Sequence, residues 1–274
     1  MSIIIGIDIG GSTTKIIGYK DNDLFSPLLV RANDPIASVY GAFGKFMSTN
    51  DLKLDNIEHI TVTGVGSSFI DGPLYGIPTG RVTEFYATGK GGLFLSDLSR
   101  ALIVSMGTGT AYVMADKDRI KHIGGTGIGG GTLLGLSNKM LNIRHFEDLI
   151  EMAKNGNLSN IDLNIADITQ DEMETLPSDV TASNFGKISD LASKSDTALG
   201  IINLVFQTIG MMAVFASQIR KTKDVVLTGN LTHVPQSQTI FNTLHRLYDV
   251  NYHIPEYAEF ATAAGAALTR TNPL

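Results

Sequence analysis

Residues 3–15 read Ile3-Ile-Ile-Gly-Ile-Asp-Ile-Gly-Gly-Ser-Thr-Thr-Lys15, an apolar run that closes on a glycine-rich turn. A second apolar stretch follows at residues 16–19, and β-branched residues on both sides of a tight turn predict a strand, a turn and a strand. Glycines let the backbone approach phosphate oxygens, while hydroxyls, backbone N–H groups and Lys15 supply donors and charge. Asp8, beside the turn, is placed to hold a hydrated Mg²⁺. An ordinary hairpin with a solvated Asp8 is the competing interpretation.

The bulk composition limits the partners that this chain can have. Its 274 residues are 43% hydrophobic and 18% charged, which is typical of a folded protein with one large core or two modest ones. The net charge of −6 gives nucleic acids and anionic membrane surfaces little electrostatic attraction. Cysteine is absent, which excludes disulfides, Cys-based zinc sites, iron–sulfur clusters and thiol catalysis. The N-terminus lacks a basic segment, so we expect no signal peptide and a cytoplasmic protein.

The first half of the chain continues with alternating helices and strands. Asp34-Pro35 predicts an N-cap followed by the first residue of a helix that runs to about residue 47. Strands are predicted at residues 24–30, 57–63 and 102–105, and a helix from about Thr83-Glu84 towards residue 98. The order of these elements predicts an α/β layer.

The opening pattern then returns. Residues 103–113 again predict a strand, a turn with the sequence Gly107-Thr-Gly-Thr110, and a strand, and a third strand is predicted near residues 119–123. Two α/β halves that each begin with a glycine-turn hairpin indicate a duplicated fold with a ligand between the halves. We therefore predict an N-terminal lobe at residues 1–105 and a C-terminal lobe at residues 106–274.

A second glycine-rich segment precedes a predicted helix. Residues 124–135 contain seven glycines in twelve positions, and a helix follows at about residues 132–141. The free N–H groups and positive dipole end of such a helix predict an anion site. The segment is neither a Walker A motif nor a Rossmann fingerprint, because it lacks Gly-Lys-Ser/Thr and a suitable βαβ context. A flexible glycine-rich loop is the competing interpretation.

The remaining residues predict further helices and one more glycine turn. Residues 179–186 have the composition of a capped helix start, and residues 197–220 predict a long apolar helix. We expect that helix to be buried, because polar residues such as Asn203 and Gln207 interrupt its apolar stretch. A strand at residues 224–227 ends on Gly229-Asn230. The last helix, near residues 259–269, is rich in Ala and Gly and can approach another backbone closely.

Three glycine turns on two similar α/β halves resemble the actin/hexokinase/Hsp70 ATPases, in which two ribonuclease H-like lobes enclose an ATP cleft. More narrowly, the chain looks like a type II pantothenate kinase over nearly its whole length. The motifs that carry this resemblance are residues 6–15 (GIDIGGSTTK), Glu84-Phe85 with Ala87, Gly107–Thr110, 124–131 (GGTGIGGG), Gly135-Leu136 and 179–186 (DVTASNFG).

The resemblance implies an ATP-dependent phosphotransferase with an alcohol acceptor, which makes 4′-phosphopantothenate in the first step of coenzyme A biosynthesis. It implies that Asp8 organises Mg²⁺ and that Glu84 is the catalytic base and contacts the substrate. The positions that it assigns to ATP and its phosphates are Asp8, Ile9, Gly10, Gly11, Ser12, Thr13, Thr14, Lys15, Gly107, Thr108, Gly109, Gly130, Gly131, Thr132, Leu133, Leu134, Phe146, Gly229 and Asn230. Phe146 and Asn230 differ in type from the family's residues.

The acceptor site departs from the family at one position. Thr108 and His122 fall at substrate-binding positions, but the family has Arg where this chain has His122. Histidine is a weaker and pH-dependent anion partner than Arg. This leaves three alternatives open: a pantothenate kinase, a kinase for a pantothenate analogue such as pantetheine or for a sugar, and a non-enzymatic actin-like ATP-binding protein. The resemblance also implies a homodimer, with the helix at residues 197–220 as the expected interface.

Overall fold

A five-stranded sheet is built from the first third of the chain in the computed structural model, which describes residues 2–11, 13–31, 34–169 and 177–269. Its elements are β1 (Ile3–Ile9), β2 (Thr13–Lys20), β3 (Asp23–Arg31), α1 (Pro35–Thr49), β4 (Ile57–Thr63), β5 (Thr79–Arg81) and α2 (Glu84–Ser96). The strands lie in the order β3-β2-β1-β4-β5, with β1 antiparallel to β2 and parallel to β4. The predicted opening hairpin is therefore confirmed.

The second sheet repeats this plan with five strands. The remaining elements are β6 (Arg100–Met106), β7 (Thr110–Asp116), β8 (Ile120–Thr126), α3 (Gly130–Leu141), α4 (Phe146–Ala153), β9 (Leu163–Asn164), α5 (Ile165–Ile168), β10 (Thr181–Ser183), α6 (Lys194–Arg220), β11 (Asp224–Thr228), α7 (Ser237–Tyr248), β12 (Asn251–His253) and α8 (Ala261–Thr269). The strand order is β12-β11-β6-β7-β8, with β6 antiparallel to β7 and parallel to β11. The predicted α/β fold class and its duplication are confirmed.

Each sheet buries one face against its own helices. Ile5 and Ile7 of β1 are fully buried with Phe43 and Phe46 of α1, which begins where the carboxylate of Asp34 accepts a hydrogen bond from the backbone N–H of Ala37 at 2.7 Å. The corresponding face of the second sheet packs on α6. Each such buried side chain contributes about 1.5–3 kcal/mol, so these two cores hold the sheets in place.

Helices α2 and α8 cross between the sheets at very close range. A Cβ atom on Gly91 would lie 1.8 Å from the carbonyl oxygen of Ala261, and one on Gly265 would lie 1.8 Å from that of Ala87. The close approach predicted for the last helix is confirmed. Helix α8 also covers β1, where a Cβ atom on Gly6 would meet the carbonyl oxygen of Ala263 at 1.9 Å. The C-terminal helix thus packs on the N-terminal sheet.

The division of the chain into lobes at residue 105 stays a prediction. Residue 105 is the penultimate residue of β6, and the whole of β6 belongs to the second sheet. The chain therefore passes from one sheet to the other through α2, ahead of the predicted boundary.

Helix α6 is buried along most of its apolar stretch. Among the described residues it is the one helix that is long and apolar enough to cross a membrane by length and composition. Within it Ile201, Ile202 and Val205 are fully buried in the core of the second sheet. The prediction of a buried core helix is therefore confirmed.

The helix start predicted at residues 179–186 is wrong. Residues Thr181–Ser183 form β10, which pairs with β9, and Phe185 has a left-handed backbone with φ 57°. The backbone N–H of Phe185 donates to Oδ1 of the buried Asp162 at 2.8 Å, and the Asn184 amide reaches the same carboxylate at 3.3 Å. The segment fails to form a helix because its polar groups bond to this distant carboxylate instead of capping local N–H groups.

Candidate active site

A cluster of charged side chains lies at the end of the first hairpin, with Lys15 buried and Asp8 half-buried. Asp8 and Lys15 are directly opposite each other in the pairing of β1 with β2. Burial raises the pKa of Asp8, and the charge of Lys15 acts against this shift. Burial also lowers the pKa of Lys15, whereas three nearby carboxylates, led by Asp8, act in the opposite direction. Opposite charges therefore occupy paired strand positions in a partly buried site, where electrostatic interactions are stronger than in water.

Glu84, the first residue of α2, belongs to the same cluster. Burial raises its pKa, the charge of Asp8 raises it further, and Lys15 lowers it. A carboxylate with a raised pKa is better matched to the neutral range in which a general base works. The structure thus brings Glu84, which is distant in the sequence, to the hairpin residues Asp8 and Lys15.

A groove of about 290 Å³ opens beside Glu84. Its lining residues are Gly64, Val65, Ser67, Arg81, Val82, Thr83 and Glu84. Arg81 brings a cation to the groove and donates from Nη2 to the carbonyl oxygen of Ile70 at 2.7 Å. The groove gives a small molecule from solvent a path to the Glu84 side chain.

The second hairpin turn is bonded to the start of α3. The N–H groups of Gly130 and Gly131 donate to the carbonyl oxygens of Gly107 and Thr108, each at 2.9 Å. The prediction that the N–H groups of this helix are free to face a ligand is therefore wrong for these two residues. A Cβ atom on Gly129 would lie 2.7 Å from the carbonyl oxygen of Thr108, so the glycine run allows this close contact.

Two of the predicted nucleotide positions in α3 differ in their surroundings. The side chain of Leu133 is fully buried in the core of the second sheet, so only its backbone is available to a ligand. The hydroxyl of Thr132 donates to the carbonyl oxygen of Gly127 at 3.0 Å and steadies the glycine run. Phe146, the first residue of α4, packs against the same core.

The late glycine turn lies against the second hairpin. Gly229 has φ +91°, and a Cβ atom there would lie 2.5 Å from the carbonyl oxygen of Met106. The next residue, Asn230, has a buried Oδ1 atom with no hydrogen-bond partner in the part of the chain that the structure describes. A buried acceptor of this kind costs free energy unless a ligand satisfies it.

His122 stacks on the residue that follows Glu84. Its imidazole ring is parallel to the Phe85 ring, with 3.9 Å between ring centroids and 6° between ring planes. Lys121 points to the opposite face of β8, where it lines a different groove with Ile219 of α6. Of these two residues, His122 is the one that contacts α2, through Phe85, the residue after Glu84.

The first turn itself is held in place from both sides. Gly10 N–H donates to the carbonyl oxygen of Thr13 at 2.9 Å, and the hydroxyls of Thr14 and Ser38 are 2.6 Å apart. Ser12 lies outside the described residues. Sequence reasoning missed Ser38, the end of β4 and the contact of Phe85 with His122, because only their spatial neighbours mark them as parts of the site.

The two glycine-turn lobes define an α/β fold of the actin/hexokinase ATPase type. The chain has a TM-score of 0.71 at 18% identity with component A of the (R)-2-hydroxyglutaryl-CoA dehydratase of Acidaminococcus fermentans, covering 98% of this chain and 97% of that one. It has a TM-score of 0.63 at 10% identity with a ROK family glucokinase from Streptomyces griseus in complex with glucose and AMPPNP, covering 99% and 100%. At these identities the likeness shows the fold alone.

The particular family follows from sequence comparison. The Fumble family model matches residues 95–258, more than half of the chain, and the chain belongs to that family. A type II pantothenate kinase from Bacillus cereus is 28% identical over 262 residues, which cover 87% of this chain and 90% of the relative. A type II pantothenate kinase from Staphylococcus aureus is 29% identical over 240 residues, covering 84% and 85%. The predicted resemblance to this family is confirmed.

Proposed function

We propose that this protein is a pantothenate kinase, which transfers the γ-phosphoryl group of ATP to the hydroxyl of pantothenate at the first step of coenzyme A biosynthesis. The relatives named type II pantothenate kinase support the substrate, since they match this chain over most of its length. The single observation in the structure that carries the proposal is the cluster formed by the strand-paired Asp8 and Lys15 with Glu84 at the start of α2. It unites a candidate base with a candidate phosphate site.

In this proposal Glu84 is the catalytic base. It takes the proton from the pantothenate hydroxyl while the hydroxyl oxygen attacks the γ-phosphorus and the bond from the γ-phosphorus to the bridging oxygen of ADP breaks. The groove beside Glu84 admits the acceptor, and the raised pKa of Glu84 suits proton removal near neutral pH. The products are the phosphate ester of pantothenate and ADP. The proton remains on Glu84 until solvent removes it.

The first turn, residues 10–15, is proposed to hold the β- and γ-phosphates, with Lys15 as the cation that faces them. The donor set also fits Mg²⁺, because the half-buried Asp8 carboxylate is a hard oxygen ligand beside the proposed phosphate site. Within the described residues no group of three or more His, Cys, Asp or Glu could hold a metal, so Asp8 would share the ion with waters and phosphates. When bound, Mg²⁺ neutralises charge on the transferred phosphoryl group.

The second turn, the start of α3 and the late glycine turn are proposed to hold the rest of the nucleotide. The unpaired Oδ1 atom of Asn230 supports this assignment, since an adenosine donor can satisfy it. Gly107, Thr108 and Gly109, the α3 residues and Phe146 stay predictions as nucleotide contacts. Thr108 is also proposed to reach the acceptor.

His122 is proposed to bind the acceptor. Its imidazole stacks on Phe85, the residue after Glu84, and a ring nitrogen can hydrogen-bond a carbonyl or carboxylate of pantothenate. The alternatives are a kinase for pantetheine or a sugar, and an actin-like protein that binds ATP without an acceptor.

The larger assembly is part of the proposal. We propose lobes at residues 1–105 and 106–274, a homodimer and a cytoplasmic location. Exposed apolar side chains on α6 support the dimer, since Phe215 is 58% exposed and Ile219 is 75% exposed.

The test is to follow ADP release by the purified chain with ATP, Mg²⁺ and a panel of pantothenate, pantetheine and sugars. We expect turnover that depends on pantothenate. Turnover with pantetheine or a sugar alone would show a different acceptor, and nucleotide-dependent assembly without any turnover would favour the actin-like alternative. His122→Arg restores the family's residue, and a gain in pantothenate preference would assign His122 to the acceptor site.

A further inference from the structure

Thr63, the last residue of β4, carries a buried hydroxyl that no group of the described chain satisfies. The residue is 0% exposed, and its Oγ1 atom has no hydrogen-bond partner among the described residues. A buried hydroxyl without a partner costs about 1–3 kcal/mol, so native proteins retain few of them. At the end of a core strand, this hydroxyl is available to a hydrogen-bonding group from outside the described residues.

Thr63 lies next to Asp8 in the first sheet. In the parallel pairing of β1 with β4, Thr63 is directly opposite Asp8. Side chains alternate along a strand, and Val62 faces the α1 core, so Thr63 faces the other side together with Asp8. The next residue, Gly64, has φ +85°, and a Cβ atom on it would lie 2.5 Å from Oδ1 of Asp8. The Asp8 carboxylate therefore lies directly against the Gly64 backbone, an approach that a side chain at residue 64 would block.

The duplicated fold contains an internal comparison for this residue. Thr228 ends β11 as Thr63 ends β4, and it is followed by Gly229 with φ +91°. Thr228 is opposite Ser105 of the parallel strand β6, whereas Thr63 is opposite Asp8 of the parallel strand β1. The Thr228 hydroxyl is satisfied, because it donates to the carbonyl oxygen of Val104 at 3.3 Å. The unpaired hydroxyl thus occurs in the half that carries the carboxylate.

We propose that Thr63 is a positioning residue for the metal ion of the bound nucleotide. Its hydroxyl oxygen accepts a hydrogen bond from a water of the hydrated Mg²⁺ that Asp8 holds, and thereby fixes where that ion sits. Magnesium keeps several of its waters in such sites, and groups that hydrogen-bond the first coordination shell change metal affinity about 10–100-fold. The inference rests on the proposed ATP site and does not involve the acceptor.

The test compares Thr63→Ser with Thr63→Ala, which differ only in the hydroxyl. Binding of a fluorescent ATP analogue is titrated with Mg²⁺ in the absence of acceptor, and again with a chelator. We expect T63S to behave as the wild type, and T63A to need roughly 10–100-fold more Mg²⁺ for half-maximal binding. The affinity of T63A for metal-free nucleotide should be unchanged.

Thr228→Ala is the matched control, since it removes a threonine from the equivalent strand end and should leave the Mg²⁺ requirement unchanged. A wild-type Mg²⁺ requirement in T63A would overturn the inference, and so would an equal loss of metal-free binding. If T63A does not fold by circular dichroism, Thr63→Val replaces it in the same comparison with T63S. If the wild-type protein binds Mg²⁺-nucleotide but does not turn over pantothenate, the proposed acceptor is wrong. The inference about Thr63 is not affected by that result.

Discussion

The two hairpin turns have the same backbone plan and different side chains. In the first, Asp8 stands two residues before Gly10 and is paired with Lys15. In the second, Ser105 stands two residues before Gly107 and is paired with Ala111. Each hairpin lies beside a parallel strand that ends in Thr-Gly, at Thr63 and Thr228. The duplicated scaffold is shared, but the charges occur in one copy only.

This difference separates the residues that stabilise the fold, the glycines, from the residues that supply chemistry, the charged side chains. The glycines recur in both halves because backbones approach closely in both. The buried charges occur only in the first half, where their burial is costly and has no structural counterpart in the second. We therefore expect changes to the charges to affect catalysis, and changes to the paired glycines to affect stability equally in both halves.

The largest expected effect is from Glu84→Gln, which tests whether the chemistry belongs to the first-half cluster. We expect kcat to fall by about 10²–10⁴-fold, because a general base contributes that much and the amide cannot accept the proton. Nucleotide binding should stay within a few-fold of wild type. Glu147→Gln is the control, because Glu147 is an exposed residue of α4. It should keep full activity, since its ion pair with Arg31 is exposed to solvent and contributes little. Undiminished activity in Glu84→Gln would remove Glu84 as the base.

The second prediction makes the first turn resemble the second. Asp8→Ser should lower kcat/KM roughly 10²-fold, the size expected when one electrostatic group is removed from a preorganised site. Ser105→Ala, at the equivalent position, should change kcat/KM by no more than a few-fold. Steady-state kinetics at saturating Mg²⁺ measures both. Equal losses of kcat/KM in the two variants would contradict the claim that only the first hairpin carries catalytic charges.

The third prediction concerns the part of the fold that the halves share. Gly64→Ala and Gly229→Ala should each lower the free energy of unfolding by about 1–3 kcal/mol, because both positions have positive φ and a Cβ atom would press on the end of the neighbouring parallel strand. Urea denaturation measures this, with Gly41→Ala as the control, since a Cβ atom there has open space. A clear loss in one variant alone would contradict a shared structural requirement.

The smallest expected effect is a displaced acid limb in the pH profile. Glu84 is active only as the carboxylate, and burial and Asp8 raise its pKa. As the pH falls, kcat should therefore begin to decline at a higher pH than an ordinary Glu would give, and the decline should be absent from the residual activity of Glu84→Gln. Rates measured between pH 5 and 8 in buffers of constant ionic strength test this. A limb that persists in Glu84→Gln would belong to another group.

Much of the fold was predictable from local patterns. The β-branched runs around Gly10 and Gly107, the cap at Asp34 and the small residues near Gly265 each carry their structure in a few neighbouring residues, and the observed elements agree with them. The segment at residues 179–186 was not predictable in this way, because Asp162, which bonds to it, is distant in sequence. The same holds for the N–H groups of Gly130 and Gly131, which are bonded to the second turn.

The sequence by itself determined the class of fold, the two glycine-turn hairpins and the residue types available for phosphate and metal binding, since each depends on contiguous residues. Only the tertiary structure decided which groups meet. It placed Glu84 with Asp8 and Lys15, stacked His122 on Phe85, and set the unpaired hydroxyl of Thr63 beside Asp8. The physical reason is that burial, pKa shifts and unsatisfied hydrogen bonds arise from strands that pair across long stretches of chain.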